Sequence, residues 1–476
     1  MPPALKRCSA AQFDSLYKAI VKERGGLISF VFHISIAVFP GTRKMSAATT
    51  QVVEQFGQLG ERRHYCLEND RFRRVKEQTA RFGGGSVLTW VRNLLRFVLL
   101  PQGYPGSVSD DYLEYQLWDT LQAFCSYLSG TLTTRAVMQG VGVGDAAATP
   151  LAATLAWIMK DGTGMIGRIA FASWKGPELD SNCKKWRLTA DALNDLALAI
   201  ELGSPLLPQA HFLTALCVAT SFKAIVGVAG GATRAALTQH QAKHGNMADV
   251  AAKDGSQETF VNLIASNIGI FLLPLVTSNE MTWLVFLLLT CTHLFANYNA
   301  VRCLNIPILN ATRFEILYQS LITEGQVLKP KEVNSKEPVI LGQSGASQTK
   351  NWNIVLGESF SALSDVSSEQ FQISASLSED YLVLVSARRK EIAVVFRRGA
   401  SADPLRTYFH ALCVGQALAV LSTQESIAMA LTEGSKRANE EFDQFKKSAT
   451  TAGWLMERHQ LLVDEWVAEW TSKKHD

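Results

Sequence analysis

Three stretches almost free of charge dominate residues 211–301. Residues 211–231 contain a single charged side chain, Lys223. Residues 259–279 and 281–301 contain none, and Glu280 alone separates them. A run of about 20 apolar residues is long enough for a helix to cross a bilayer. Asn279-Glu280 therefore reads as the turn of a helical hairpin. Trp283 and Tyr298, near opposite ends of its second arm, sit where interfacial anchors are expected. Membrane insertion is the expectation, and a fully buried soluble hairpin is the competing reading. His293, Asn297 and Asn299 read as packed or snorkelling groups rather than ligands.

Residues 223–259, KAIVGVAGGATRAALTQHQAKHGNMADVAAKDGSQET, turn from apolar to polar through a Gly230-Gly231 break. Polar groups at membrane depth are costly and are usually functional. Lys253-Asp254-Gly255-Ser256 has an echo at Lys160-Asp161-Gly162-Thr163. Each follows a Gly-rich, Ala-Thr segment, at residues 230–233 and 144–149. Gly-interrupted apolar segments in matching halves are the pattern of an inverted-repeat transporter. Broken helices in such folds aim their N-terminal dipoles at anions. On this reading Arg234, His240, His244, Asn246, Asp249, Lys253 and Asp254, with Lys160 and Asp161 opposite, are ligand-binding candidates around one cavity. Two unrelated polar loops are the alternative.

The surrounding chain divides by texture. Residues 1–60 are an unassigned extension, with an apolar run at 25–40 too short to span a bilayer comfortably. Residues 61–325 form a helical core that contains the membrane segments. It opens on a basic stretch at 62–76 that suits a solvated surface with a strand or two. A Gly83-Gly84-Gly85 break follows, then an amphipathic helix over 87–100 and a Gly-Tyr-Pro-Gly turn at 103–106. Residues 189–202 read as an amphipathic surface helix with Asp191, Asn194, Asp195 and Glu201 outward. Residues 326–350 read as a linker. Residues 351–476 read as a small α+β domain with a hairpin around Arg388-Arg389-Lys390 and a helix from Asp403 or Pro404. The fold class is thus mainly α, a multi-helix membrane bundle with Gly-interrupted helices, plus a small C-terminal α+β domain.

Several function classes are excluded or weakened. A net charge of +3 is too small to point to nucleic acid as a partner. The eight cysteines form no C-x-x-C pair and match neither a zinc site nor a disulfide framework. GVGVG at 140–144 lacks the spacing of a dinucleotide fingerprint. Lys223 or Lys253 near Gly230-Gly231 could be imagined as a Schiff-base lysine beside a phosphate cradle, but no catalytic constellation stands out. His240 and His244 have the i, i+4 spacing of a metal pair on a helix, without an obvious third ligand. The expectation is a non-enzyme with no cofactor and no metal.

PQGYPGSVSDDYLEYQLWD, VGVGDAAAT, KDGTGMIGR, ADALNDLA and above all VAGGATRAALTQHQAKHGNMADVAAKDGSQET resemble the root UVB-sensitive family, densely over residues 101–307. The tail AGWLMERHQLLVDEWVAEW is similar to animal members. The resemblance implies a membrane protein linked to pyridoxal phosphate homeostasis, with no catalytic residue to carry over. It leads to two expected functions. One is transport or homeostasis of a small anionic metabolite. The other is a membrane-anchored adaptor acting through the C-terminal domain. Expected partners are the lipid bilayer, such a metabolite and other copies or relatives within the family. The expected location is an intracellular organelle membrane rather than the plasma membrane.

Overall fold

The computed structural model describes residues 51–55, 62–68, 71–74, 91, 94–141, 150–342, 352–420 and 426–470. Most of the extension expected over 1–60, the 83–85 glycine break and residues 142–149 of the echo lie outside the described residues. The chain forms two compact units. In the first, β1 (Gln51–Gln55), β2 (Arg62–Glu68) and β3 (Arg71–Arg74) make an antiparallel meander, with Val53 opposite His64 and Leu67 opposite Phe72. The basic stretch expected as surface strands is β2 and β3.

The second unit begins with a helical region: α1 (Tyr112–Gly140), α2 (Pro150–Lys175), the single-turn α3 (Glu178–Ser181), α4 (Cys183–Gly203), α5 (Gln209–Gln241), α6 (Met247–Leu275) and α7 (Asn279–Cys303). α1 packs against α4, α6 and α7, while α5 lies between α4 and α2. The hairpin expected at Asn279-Glu280 joins α6 to α7. Ser278 caps α7 by accepting from the Met281 N–H at 3.2 Å. Arg135, near the C-terminal end of α1, donates to the carbonyls of Leu273 (3.1 Å) and Val276 (2.9 Å). These are orphan acceptors at the C-terminal end of α6, where a cation also complements the helix dipole.

The expectation of Gly-interrupted helices is corrected. α5 runs unbroken through Gly230-Gly231, and the two Lys-Asp-Gly motifs lie inside α2 and α6 rather than in loops. One glycine beside the first motif serves packing: a Cβ on Gly164 would meet Thr220 at 2.9 Å. Small residues here let α2 lie close on α5, as in membrane bundles generally. A turn does occur at Gly245, whose φ of +67° suits glycine, between α5 and α6.

Beyond α7 the chain forms α8 (Ala311–Glu324), α9 (Pro330–Lys336), β4 (Asn353–Leu356), α10 (Ser368–Leu377), β5 (Tyr381–Ser386), β6 (Glu391–Arg397), α11 (Pro404–Val420), α12 (Ser426–Ala452) and β7 (Val467–Ala468). β5 and β6 form the expected antiparallel hairpin. β4 and β7 add in parallel along β6, the first at its start and the second at its end. Successive residues of a strand face opposite sides. Leu382 and Leu384 accordingly pack with Trp470 on one face, while Val383 and Val385 join α11 and α12 on the other. The second core centres on stacked rings: Phe314 lies 5.5 Å from Phe445 at 6° between planes, and Phe409 lies 5.1 Å from Phe445.

The linker reading of 326–350 is also corrected for its described part. α9 and Glu337 are docked into the interior. Glu337 pairs with Lys184 of α4 at 3.0 Å and Arg313 of α8 at 3.1 Å, all three almost fully buried. Lys184 also donates to Asn334 Oδ1 (2.6 Å) and to the Leu304 carbonyl (2.9 Å). Burial alone would raise the Glu337 carboxyl, but Arg313 and Lys184 hold it down at about 2. Burial pushes the Lys184 ammonium below its usual range, against the pull of Glu337. This network ties the helical region to the C-terminal one.

Candidate functional site

The polar half of 223–259 folds into a seam that fastens the α5–α6 turn to the chain preceding α1. Arg234 binds Asp254 at 2.5 Å and Glu258 at 2.8 Å, and Asp254 also accepts from Gln116 of α1 at 3.2 Å. His240 Nε2 lies 2.9 Å from Asp111 Oδ2, which also accepts the Asn305 N–H at 2.6 Å; Ser109 donates to the other Asp111 oxygen. Burial would raise the Asp111 carboxyl, but His240 and these donors hold it at about 2. Asp249 accepts from the Gln102 N–H at 2.7 Å, and Lys253 donates to the Phe97 carbonyl at 2.5 Å. Arg234, Asp254 and His240 thus meet carboxylate or cationic partners, whereas Asp249 and Lys253 bond to neutral backbone groups of the chain before α1.

The remaining candidates stand apart. α5 ends at Gln241, so His244 lies in the following loop, where its N–H donates to Asn246 Oδ1 at 3.2 Å. The two histidines are therefore not an i, i+4 pair on one helix. Lys160 lies 3.9 Å over the Trp157 ring on α2. Its electrostatic neighbours include Glu201, Asp161, Lys223 and Cys217. Arg234 is about 25 Å further along α5 than Cys217, at 1.5 Å rise per residue. The structure thus brings Arg234 and Asp254 together and leaves Lys160 and Asp161 at another level.

A second polar cluster lies inside the bundle, between α1, α4 and α7. Arg187 binds Asp119 at 2.8 Å and lies 3.7 Å from Asp191. Asp191 also accepts from Gln122 (3.0 Å) and from Asn297. One turn further, Asp195 Oδ2 meets His293 Nδ1 at 2.8 Å. His293 and Asn297 are fully buried and Asp195 nearly so. Three carboxylates face one guanidinium and one imidazole, so the cluster carries excess negative charge. Burial pushes the Asp119 and Asp191 carboxyls above the usual carboxylate range, against the pull of Arg187.

This cluster is not hydrogen-bonded to completion. Among the described residues, Asp195 Oδ1, His293 Nε2, Asn297 Oδ1 and Thr290 Oγ1 are buried without a protein partner. Such groups cost free energy unless something else satisfies them. Asp195 and Thr290 line a cavity of about 480 Å3 whose other walls include Leu196, Trp283, Leu284 and Phe286. Sequence reasoning placed Asp191, Asn194 and Asp195 on a solvated helix face. The available signal was the spacing of Arg187, Asp191 and Asp195 at i, i+4, matched by His293 and Asn297 at i, i+4 on an otherwise apolar helix.

Comparison with known proteins decides the family. Residues 86–325 match the vitamin B6 photo-protection and homoeostasis domain, and residues 326–470 match the root UVB sensitive protein C-terminal domain. The chain belongs to the root UVB-sensitive family. It is 38% identical over 392 residues to root UVB sensitive 3 of Arabidopsis thaliana, covering 80% of this chain and 87% of that one. It is 48% identical over 252 residues to RUS family member 1 of Dictyostelium discoideum, covering 52% of this chain and 48% of that protein. Root UVB sensitive 5 of Arabidopsis thaliana is 27% identical over 444 residues, 87% of this chain and 86% of its own length. No solved structure matches. The family's two domains meet at residues 325 and 326, where the α8 C-terminus gives way to the segment carrying Glu337.

Proposed function

We propose that this protein is an integral membrane protein that transports or sequesters a small metabolite in vitamin B6 homeostasis, and that it does so without catalysing a reaction. One observation carries the reading. α5, α6 and α7 are long and apolar enough to cross a membrane, and α6 and α7 turn many large apolar side chains outward while His293 and Asn297 of α7 are buried. Ile270 is 64% exposed and Phe271 74% exposed, whereas His293 and Asn297 are fully buried. A water-soluble bundle has the opposite arrangement. α2 also exposes Ile166, Ile169 and Trp174. The matched domain's description supplies the vitamin B6 class.

The charge arrangement shifts the expected substrate. Arg234, the strongest candidate for an anion, is already neutralised by Asp254 and Glu258. The inner cluster is acidic and suits a neutral or protonated vitamer better than a phosphorylated one. Proteoliposomes should accumulate labelled pyridoxine or pyridoxamine faster than protein-free vesicles. Rates no faster than in protein-free vesicles for either vitamer would contradict transport.

The adaptor reading draws support from a groove on the C-terminal region, where Val420 and Met429 are exposed beside Arg437. Deleting residues 352–470 should then abolish function; full activity of the truncated chain would rule the adaptor out.

A further inference from the structure

We propose that α2 is a fourth membrane-embedded helix, its outer face covered by lipid hydrocarbon. This rests on the membrane reading of α5, α6 and α7 and goes beyond it, because composition does not single α2 out. Lys160, Asp161, Arg168 and Lys175 fall within its 26 residues, and the described helices with the apolar length to cross a membrane are α5, α6 and α7. The packing of α2 points the other way.

α2 meets the bundle along one narrow stripe. Lys160, Gly164, Gly167 and Phe171 recur at i, i+4, i+7 and i+11, the period of a single helix face. Gly164 faces Thr220 and Gly167 faces Ala224 of α5, while Phe171 meets Trp186 of α4 edge to face at 5.3 Å. Lys160 has Glu201 and Lys223 as electrostatic neighbours, and these two pair at 2.6 Å. Thr220, Lys223 and Ala224 all lie within His211–Gln241, the membrane-length part of α5. α2 therefore runs at the same depth as that span.

The outward arc is the apolar one. It exposes Leu155, Ile158, Met159, Met165, Ile166 and Ile169, with Ile166 71% and Ile169 70% exposed. A helix on the surface of a water-soluble protein turns its charges to that side and its apolar stripe inward. Here the inward stripe is two glycines, a lysine and Phe171. An apolar arc of this length is unfavourable in water, and hydrocarbon removes that cost. Asp161 and Arg168 are the charged residues of the arc; Asp161 adjoins Lys160, and the Arg168 guanidinium lies back along α5 beside Gly227. Trp157 and Trp174 are about 26 Å apart along the helix at 1.5 Å per residue, close to the thickness of a bilayer's hydrocarbon core. Each has a lysine over its ring, Lys160 at 3.9 Å and Lys175 at 4.7 Å. Aromatic and lysine side chains at two levels this far apart suit the two membrane interfaces.

The test uses the unaltered full chain in phosphatidylcholine vesicles. The probe is trifluoromethyl phenyldiazirine, an apolar compound that dissolves in the bilayer and inserts into neighbouring bonds on illumination. Adducts are mapped by peptide mass spectrometry. Residues 158–169 of α2 are expected to be labelled as Phe271 of α6 and Leu287 of α7 are, about tenfold above the exposed Trp466 of the C-terminal region. Labelled α6 and α7 with α2 no higher than Trp466 would overturn the proposal and leave the membrane reading standing, because water, or protein such as a second copy, would then cover α2. Absence of labelling from α2, α6 and α7 alike would sink both readings.

Discussion

The interiors of the helical and C-terminal regions are built on opposite terms. The C-terminal core is a stack of rings, Phe314, Phe409, Phe442 and Phe445, closed over by Tyr318 and the aliphatic faces of β5 and β6. Such a core gains its stability from dispersion and burial, and it specifies one packing. The helical interior instead holds Asp119, Arg187, Asp191, Asp195 and His293 among apolar helices, with several polar atoms unsatisfied. Ionic interiors of this kind contribute little net stability and are better understood as sites. One interior is closed by apolar packing, and the other retains buried polar atoms without a partner among the described residues.

That contrast can be broken by mutation. Phe314→Ala should have the largest effect, a loss of about 3–5 kcal/mol in denaturant unfolding of the C-terminal region, because it empties the centre of the stack. Glu337→Gln should follow at about 3 kcal/mol, since it strands Lys184 and Arg313 without their counter-charge. A smaller loss would mean that the tie between the regions is weaker than its burial suggests.

Acid should act through the same carboxylates. Glu337 and Asp111 are held at about 2 in the folded chain, below their ordinary values near 4. Their stabilisation is therefore complete above about pH 5 and is lost progressively as pH falls through about 2, at roughly 2 kcal/mol each. Thermal melts across that window should show the decline. Asp111→Asn should flatten part of it. Arg234→Gln should cost least, under about 1 kcal/mol, because its pairs are half-exposed and screened. A cost of several kcal/mol would make the seam a core element.

The hairpin and the strands around Arg388-Arg389-Lys390 were legible because composition and turn residues state them locally. The glycine motifs misled for a physical reason. Glycine lowers helix propensity, but long helices held by tertiary packing absorb it, and Gly164 is needed for the close approach of α2 to Thr220 of α5. The inner cluster was illegible because Asp191 and Asp195 show the same periodicity whether they face water or another helix. Only the pairing with His293 and Asn297 distinguishes the two. Glu337 was hidden by a Lys-, Ser- and Pro-rich context typical of linkers.

The central claim is that α5, α6 and α7 lie in lipid. Alkaline carbonate extraction of membranes from cells expressing the full chain tests it most directly. The chain should stay in the pellet with integral proteins. Its release into the supernatant would contradict the account.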